Sequence, residues 1–544
     1  MVNLARRPGL AHNAAGGPRT PNDPAAPLLT RRRVIASLGV LAVGALVAGE
    51  LERNGGPGSH PPSAPPNPGA TAPNAYADVS PNPATATAAK PSPSASPGAR
   101  RAFRTRPDIA APLIEVTTLA GIPSPGLIFL TPANGDGHDG PTIVDAAGQL
   151  VWMRPDTSGN ATDLRVATLD GAPVLTWWEG ANNAGIGVGQ YVVVDASYRE
   201  LARISGQSGR QADLHELLLT NRRTALFFAD SGVGPGPLPA SSGVQPMVMD
   251  CAIQEVDIAT GALRFEWHAV DHIGMDESVA AAPTASNAVY DYFHGNSIEE
   301  DRDGTLIVSA RNTSAVYKID RQTGRVIWRL GGKRSDFVMG PGTTFALQHD
   351  ARRQADGTIT IFDDGQAPGF SRGIVLDVDE TAMTATLVRE YLSPQRTLST
   401  SQGNVQVLPS GNVFIGWGSV PRFSEFTAAG RLVLDAGFTA SQSYRDHRYA
   451  WVGRPAEPPA VAADRNGSGL VVYASWNGAT EVARWDVLVG GSTPGRQAAS
   501  SPQTGFETII GVKKLNPGET FVAVRARDAQ GAVLGTSSAI AVRD

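Results

Sequence analysis

Cysteine is almost missing from this chain: Cys251 stands alone in 544 residues. That excludes an intramolecular disulfide and any cysteine-based metal cage. Cys251 itself reads as a small packing residue in a strand. Basic blocks are missing beyond the N-terminus, and the net charge is −5, so nucleic acid is not an expected partner. Long apolar runs are scarce too. The most sustained, Val34–Ala48 (VIASLGVLAVGALVA), falls short of the roughly 20 residues a helix needs to span a bilayer. No cysteine stands at its end, which excludes a lipoprotein.

What the chain does have is glycine (60) and proline (41). Between them lie short apolar runs rich in Val, Ile, Thr, Trp and Phe. That composition predicts an all-β chain with many turns. The length predicts two or more domains.

Residues 1–49 form a signal-like segment. Arginines ending in Thr30-Arg31-Arg32-Arg33 precede the Val34–Ala48 run, the layout of a signal peptide. Thr-Arg-Arg-x-Val-Ile resembles the twin-arginine export signal. Val47-Ala48-Gly49 is a passable cleavage site, so residues 34–48 serve either as a removed signal or as a membrane tether. Either way the protein is expected to be exported, extracellular or at the cell surface. Residues 50–105 are Pro, Ala, Ser, Thr, Gly and Asn almost throughout. Such a segment cannot bury a core and reads as a disordered linker.

Residues 106–452 repeat. Val-Asp-x-x-x-Gly before an alternating apolar run appears as VDAAGQLVWM (144–153), VDIATGALRFEW (256–267) and IDRQTGRVIWRL (319–330). FTAAGRLVLDA (426–436) and two degenerate versions, 193–204 and 377–391, bring the total to six. Nearly every copy follows another hairpin signal such as DRDGTLIVSAR (301–311) or QADGTITIFDD (354–364). The Asp-Gly pairs supply the positive φ that tight hairpins need. Two hairpins per repeat make a four-stranded antiparallel sheet, and six such sheets predict a six-bladed β-propeller. Residues 455–544 carry about seven short strands with Trp476, Trp485 and Phe521 as core candidates. They read as a small fibronectin III/Ig-like β-sandwich.

Aligning the repeats places Asp163, His215, His294, His349 and Gln402 at one position, about seven to ten residues before each hairpin turn. Equivalent positions in successive blades form a ring. Three histidines would then converge at one mouth of the channel, with Arg311, at the end of the next strand after His294, at the same level. Neutral imidazole is a nucleophile and a base, and arginine stabilises charge on non-bridging oxygens. The set suits transfer of a small anionic group. Two other readings stay open here: histidines that only hydrogen-bond neighbouring blades, and a three-histidine zinc site. His138, His268, His272 and His447 fall off the ring and read as surface or loop residues. Glu299-Glu300-Asp301 reads as a solvated strand end, and Trp177-Trp178 as core.

HGNSIEEDRDGTLIVSARNTSAVYKIDRQTGRVIWRLGGKRSDF followed by FALQHDARR, with LTWWEG (175–180) and SRGIVLDVD (371–379), resembles the arylsulfotransferase family in its actinobacterial and fungal branch. The resemblance spans roughly residues 120–450. It implies a six-bladed propeller that moves a sulfuryl group from an aryl sulfate to a phenolic acceptor, with no nucleotide donor and no cofactor. It implies His349 as the nucleophile that forms a sulfohistidine, His294 and Arg311 as ligands of the sulfate oxygens, and His215 as a further oxygen ligand or proton carrier. The partners would be small aryl sulfates and phenols. The well-known periplasmic members have a β-rich domain before the propeller and a disulfide, and this chain has neither. The competing functions are a non-catalytic, surface-tethered binding module and a metal-dependent hydrolase.

Overall fold

The computed structural model describes residues 101–156, 160–183, 185–235, 247–284, 288–365 and 369–542, all within one compact unit, Pro91–Asp544. The signal-like segment 1–49 and residues 50–100 of the linker lie outside the described residues. Among the described residues no helix is long and apolar enough to cross a membrane.

The chain is nearly all β. Among the described residues, those before the last 85 contain six antiparallel meanders of four strands, the second and third joined by one bridge at Gly189–Ala212. Their first strands are Thr162–Leu169, Gln211–Leu219, Gly295–Glu300, His349–Arg353 and Asn404–Val407, and the sixth is His447–Tyr449. These inner strands contact one another in sequence, and His447–Tyr449 meets Thr162–Leu169 to return the row to its start. The sheet assembly curls around a common axis.

Both ends of the repeat region take part in closure. His447–Tyr449 pairs with Leu127–Leu130, so the innermost strand of the first meander comes from the end of the region. Ile114–Leu119 adds outside Leu432–Phe438 of the last meander. Turns behave as their residues require: Asp170 and Gly171 both adopt positive φ (53° and 76°), as a type I′ hairpin demands.

Apolar strand faces pack between meanders. Leu226, Phe228 and Ile253 meet Ile298, Leu306, Val308 and Tyr317, all at most 1% exposed. Each such side chain contributes about 1.5–3 kcal/mol on burial. Trp177 and Trp178 are core, as expected, and so is Cys251. Glu299-Glu300-Asp301 is a correction. The triplet is tied between meanders: Arg353 N–H donates to Glu299 (3.0 Å), Arg222 pairs with Glu300 (2.8 Å), and Arg353 and Lys318 hold Asp301 (3.2 Å each).

Burial pushes the Glu299 carboxyl up to about 7, with Arg352 and the Arg353 N–H only partly offsetting it. A folded value above the unfolded one means the protonated form favours the fold, and that stability is lost as pH rises through about 7. Glu299→Gln is therefore expected to be near neutral at pH 5 and stabilising by about 1–2 kcal/mol at pH 8. Melting curves at the two pH values check this; an equal effect at both would refute it.

In the last 85 residues, Ala460–Asn466, Gly469–Ser475 and Glu507–Val512 form one sheet. Arg496–Pro502, Arg484–Gly490, Phe521–Arg527 and Val533–Thr536 form the other, with Ile540–Ala541 on Phe521–Arg527. The shared core is Val472, Trp485, Val487, Ile510 and Val524. Of the expected core aromatics only Trp485 is fully buried; Trp476 and Phe521 sit at its margin. This second layer is fastened to the first and second meanders: Asn477 exchanges hydrogen bonds with Met153 of the first (3.0 and 2.9 Å), and Tyr198 of the second donates to Gly478 O (2.8 Å). Residues 101–105, expected to belong to the linker, already pack here, with Arg104 on Asp464 and Thr105 on Glu507.

Candidate functional site

Four successive inner strands carry a register break in the same place: between Thr162 and Arg165, Ala212 and Leu217, Gly295 and Ser297, and His349 and Arg352. Nearby, Asp163, His294, Asp350 and Gln402 adopt φ of 58°, 57°, 56° and 72°. A bulge re-aims side chains that a regular strand would alternate across the sheet. Here it turns the ring residues into the channel.

The three ring histidines come together. The His215 ring lies 4.7 Å from that of His294, edge-on, and 6.4 Å from that of His349. Tyr444 adds an aromatic wall, 5.5 Å from His215 and 6.4 Å from His349. Arg311 lies beside His294, since its backbone N–H donates to His294 O (2.9 Å). Its guanidinium donates to Asn312 Oδ1 (2.9 Å) and Thr400 O (3.1 Å). Every sequence-predicted site residue is therefore at one mouth.

Each histidine leans on its own carboxylate. His349 Nδ1 bonds Asp364 Oδ2 (2.7 Å), His215 Nδ1 bonds Asp213 Oδ2 (2.5 Å), and His294 Nδ1 bonds Asp291. Such partners fix the tautomer. With Nδ1–H given to the carboxylate, Nε2 carries the free lone pair. His349 Nε2 accepts the backbone N–H of Gln402 at 3.3 Å, so it is the unprotonated nitrogen, as a nucleophile requires. Burial and then the positive Arg311 hold the His349 imidazole well below its ordinary value. Burial also lowers His215, against the pull of Asp213. Burial opposes the charge of Asp291, but His294 and Arg311 keep its carboxyl below the usual range.

The inner-strand asparagines do the work that a bland reading would give the histidines. Asn296 Nδ2 donates to Gln348 O (2.8 Å) and Asn404 Nδ2 to Asp446 O (2.9 Å), each stitching one meander to the next. The histidines are left for the channel. Among the described residues no group of three or more His, Cys, Asp or Glu is arranged to hold a metal ion.

Beneath the histidines the channel is plugged by charge. Fully buried Arg445 approaches Asp163 (3.3 Å), Glu216 (3.4 Å) and Asp350 (3.5 Å). Arg165 pairs with Asp163 (2.6 Å) and Glu216, and Arg352 with Glu216 (2.5 Å) and Asp350 (2.8 Å). His447, expected at the surface, is 5% exposed and 3.5 Å from Asp163. The reason is closure: it begins the strand that completes the first meander. The sequence showed Asp213 and Asp291 two and three residues before their histidines, but nothing marked them as partners. Asp364 lies 15 residues after His349, at the end of the facing strand. Tyr444 and Arg445 carry no repeat signal at all.

The family model for arylsulfotransferase (ASST) matches residues 165–439. No curated protein matches the sequence. Among solved structures, a protein of unknown function from Bacteroides caccae is similar at 12% identity and TM-score 0.37, over 59% of this chain and 98% of that one. A streptogramin B lyase is similar at 10% identity and TM-score 0.28, over 70% and 92%. A catalytically inactive virginiamycin B lyase from Staphylococcus aureus with quinupristin is similar at 9% and 0.32, over 66% and 96%.

Proposed function

We propose, from the premise that this chain belongs to the arylsulfotransferase family, that its histidine ring moves a sulfuryl group from an aryl sulfate to a phenolic acceptor. The observation that supports it is the His349 environment: Nδ1–H on Asp364, Nε2 unprotonated, Arg311 and His294 alongside. In the first half-reaction Nε2 attacks sulfur. An N–S bond forms as the aryl S–O bond breaks, and the aryl oxide leaves as an anion beside Arg311 and takes its proton from solvent. In the second, the acceptor hydroxyl gives its proton to the neutral His215, the candidate carrier, and attacks sulfur; the N–S bond breaks and His215 returns the proton to solvent. Arg311 and His294 stabilise the charge on the three non-bridging oxygens. No cofactor enters. The segment 1–49 supports export as the setting of this reaction.

A depressed His349 value keeps the nucleophile neutral below pH 6.5, where free imidazole would protonate. The acid limb of kcat/KM for a chromogenic aryl sulfate is expected below pH 6.5, and a limb above 7 would contradict this assignment. Asp364→Asn should lower kcat about 10–100-fold with little change in KM, because the amide can turn its NH2 to Nδ1 and favour the tautomer with the proton on Nε2, the atom that must attack. Unchanged kcat would remove Asp364 as a positioning residue.

A further inference from the structure

The sandwich end of the molecule holds a cavity that the histidine ring does not use. It measures about 330 Å³, a size found among small-ligand sites, which favour domain junctions. Trp476, Leu534 and Gly535, all half-buried, form its inner wall, and Pro455, Pro458 and Pro459 of the segment leading into the sandwich form the side. Arg454, Glu457, Glu481 and Thr536 supply a polar rim. Trp476 Nε1–H donates to Glu457 O (2.5 Å), so the indole offers ring surface rather than a donor. The ring lies against Gly535, where a Cβ would come within 2.6 Å of Trp476 Cη2; a side chain there would displace it. The proline-bearing segment is pinned as well. Gly453 and Thr480 exchange hydrogen bonds (3.0 and 3.2 Å), and the Arg454 and Ala456 N–H groups donate to Ala196 O (2.8 Å) and Ser197 O (3.3 Å). A site formed in advance loses little entropy on binding.

The groups on the wall select the ligand. Proline has no N–H, and those of Gly453, Arg454 and Ala456 are already bonded, so this segment has little to give a peptide backbone. Arg454 forks onto Glu481 (2.6 and 3.0 Å), and Glu457 adds a second carboxylate. One arginine against two glutamates disfavours an anion. A cation would meet the Arg454 guanidinium and a single aromatic ring, not an aromatic cage. A neutral pyranose suits each part. Its C–H face packs on Trp476 and the prolines, its hydroxyls donate to the carboxylates, and Arg454 donates to a hydroxyl oxygen. Hydrogen bonds to ionised groups are the strong ones.

We infer that this cavity binds a neutral pyranose unit of a glycan, so that the sandwich holds the propeller beside polysaccharide. The inference does not depend on the sulfuryl-transfer reading. Calorimetric titration of the full chain with cellobiose and with N,N′-diacetylchitobiose, two neutral probes, is expected to give saturable binding of at least one of them. Trp476→Ala should weaken that binding about tenfold or more, as loss of a central tryptophan does at other binding sites. Arg454→Ala is the second variant should the first fail to fold, since this side chain is 72% exposed; a loss of about three- to tenfold is expected. Cellobiuronic acid, which differs from cellobiose by one carboxylate, should bind more weakly than cellobiose. Absence of binding by both disaccharides, or binding that neither substitution changes, would overturn the inference. Tighter binding of the acid would overturn the neutral class. Binding of decaproline that Trp476→Ala removes, with no saccharide bound, would overturn it too and give the cavity to a protein partner.

Discussion

His349→Ala is expected to abolish turnover of a chromogenic aryl sulfate by three or more powers of ten. Removal of a covalent nucleophile costs on that scale, because the remaining groups can bind but cannot form the intermediate. The side chain is 1% exposed and its ring is bonded at both nitrogens. Its loss also leaves the Asp364 carboxyl unpaired, so the variant should be shown to melt near the wild-type temperature before rates are compared. Rapid-quench mass spectrometry of wild type with donor alone should show the mass of one sulfuryl group, and His349→Ala should not. Turnover within tenfold of wild type would remove His349 as nucleophile. It would leave the ring to ligand binding, or its chemistry to His215 or His294.

Arg445→Met should produce the largest loss of stability, about 3–5 kcal/mol. Arg445 is 0% exposed and stands among Asp163, Glu216 and Asp350. Without it Arg165 and Arg352 face three carboxylates, and one negative charge is buried uncompensated. The apparent melting temperature is expected to fall by about 5–10 °C. Adding Glu216→Gln should recover part of the loss, since contacting residues are not additive. A fall of no more than a degree would mean that water, not protein, balances the plug. The pH sense follows from Asp163. Burial opposes its charge, but Arg165 and Arg445 outweigh burial and hold the carboxyl well below its ordinary value. A depressed folded value gives stability that is present above about pH 4 and lost on acidification. Wild type should therefore lose stability on acidification more steeply than Arg445→Met. Parallel losses would contradict the network.

The plug also explains why the site is precise. The bulge that aims His349 into the mouth aims Asp350 into the ion cluster, one residue on. The same holds for His215 and Glu216. Catalytic and structural groups alternate on one bent backbone, so a disturbance below should shift the ring above.

Sequence alone determined the local and periodic features. Alternating apolar runs and Asp-Gly turns specify hairpins through contacts a few residues apart, and repetition places His215, His294 and His349 at one level. Arg311 was legible for the same reason, as the strand end opposite His294. What only tertiary structure decided depends on contacts between distant segments. His447 looked like a loop residue because its strand has no hairpin of its own; it pairs with Leu127–Leu130, more than 300 residues away. Glu299 looked solvated because a charged triplet in isolation prefers water, and only the arginines of other meanders make its burial tolerable. Asp364 reaches His349 across their own hairpin, where a bulge shifts the register, and Tyr444 reaches the histidines by closure of the ring; no spacing in the chain encodes either. Burial sets the protonation of His349, and burial belongs to the assembled sheets.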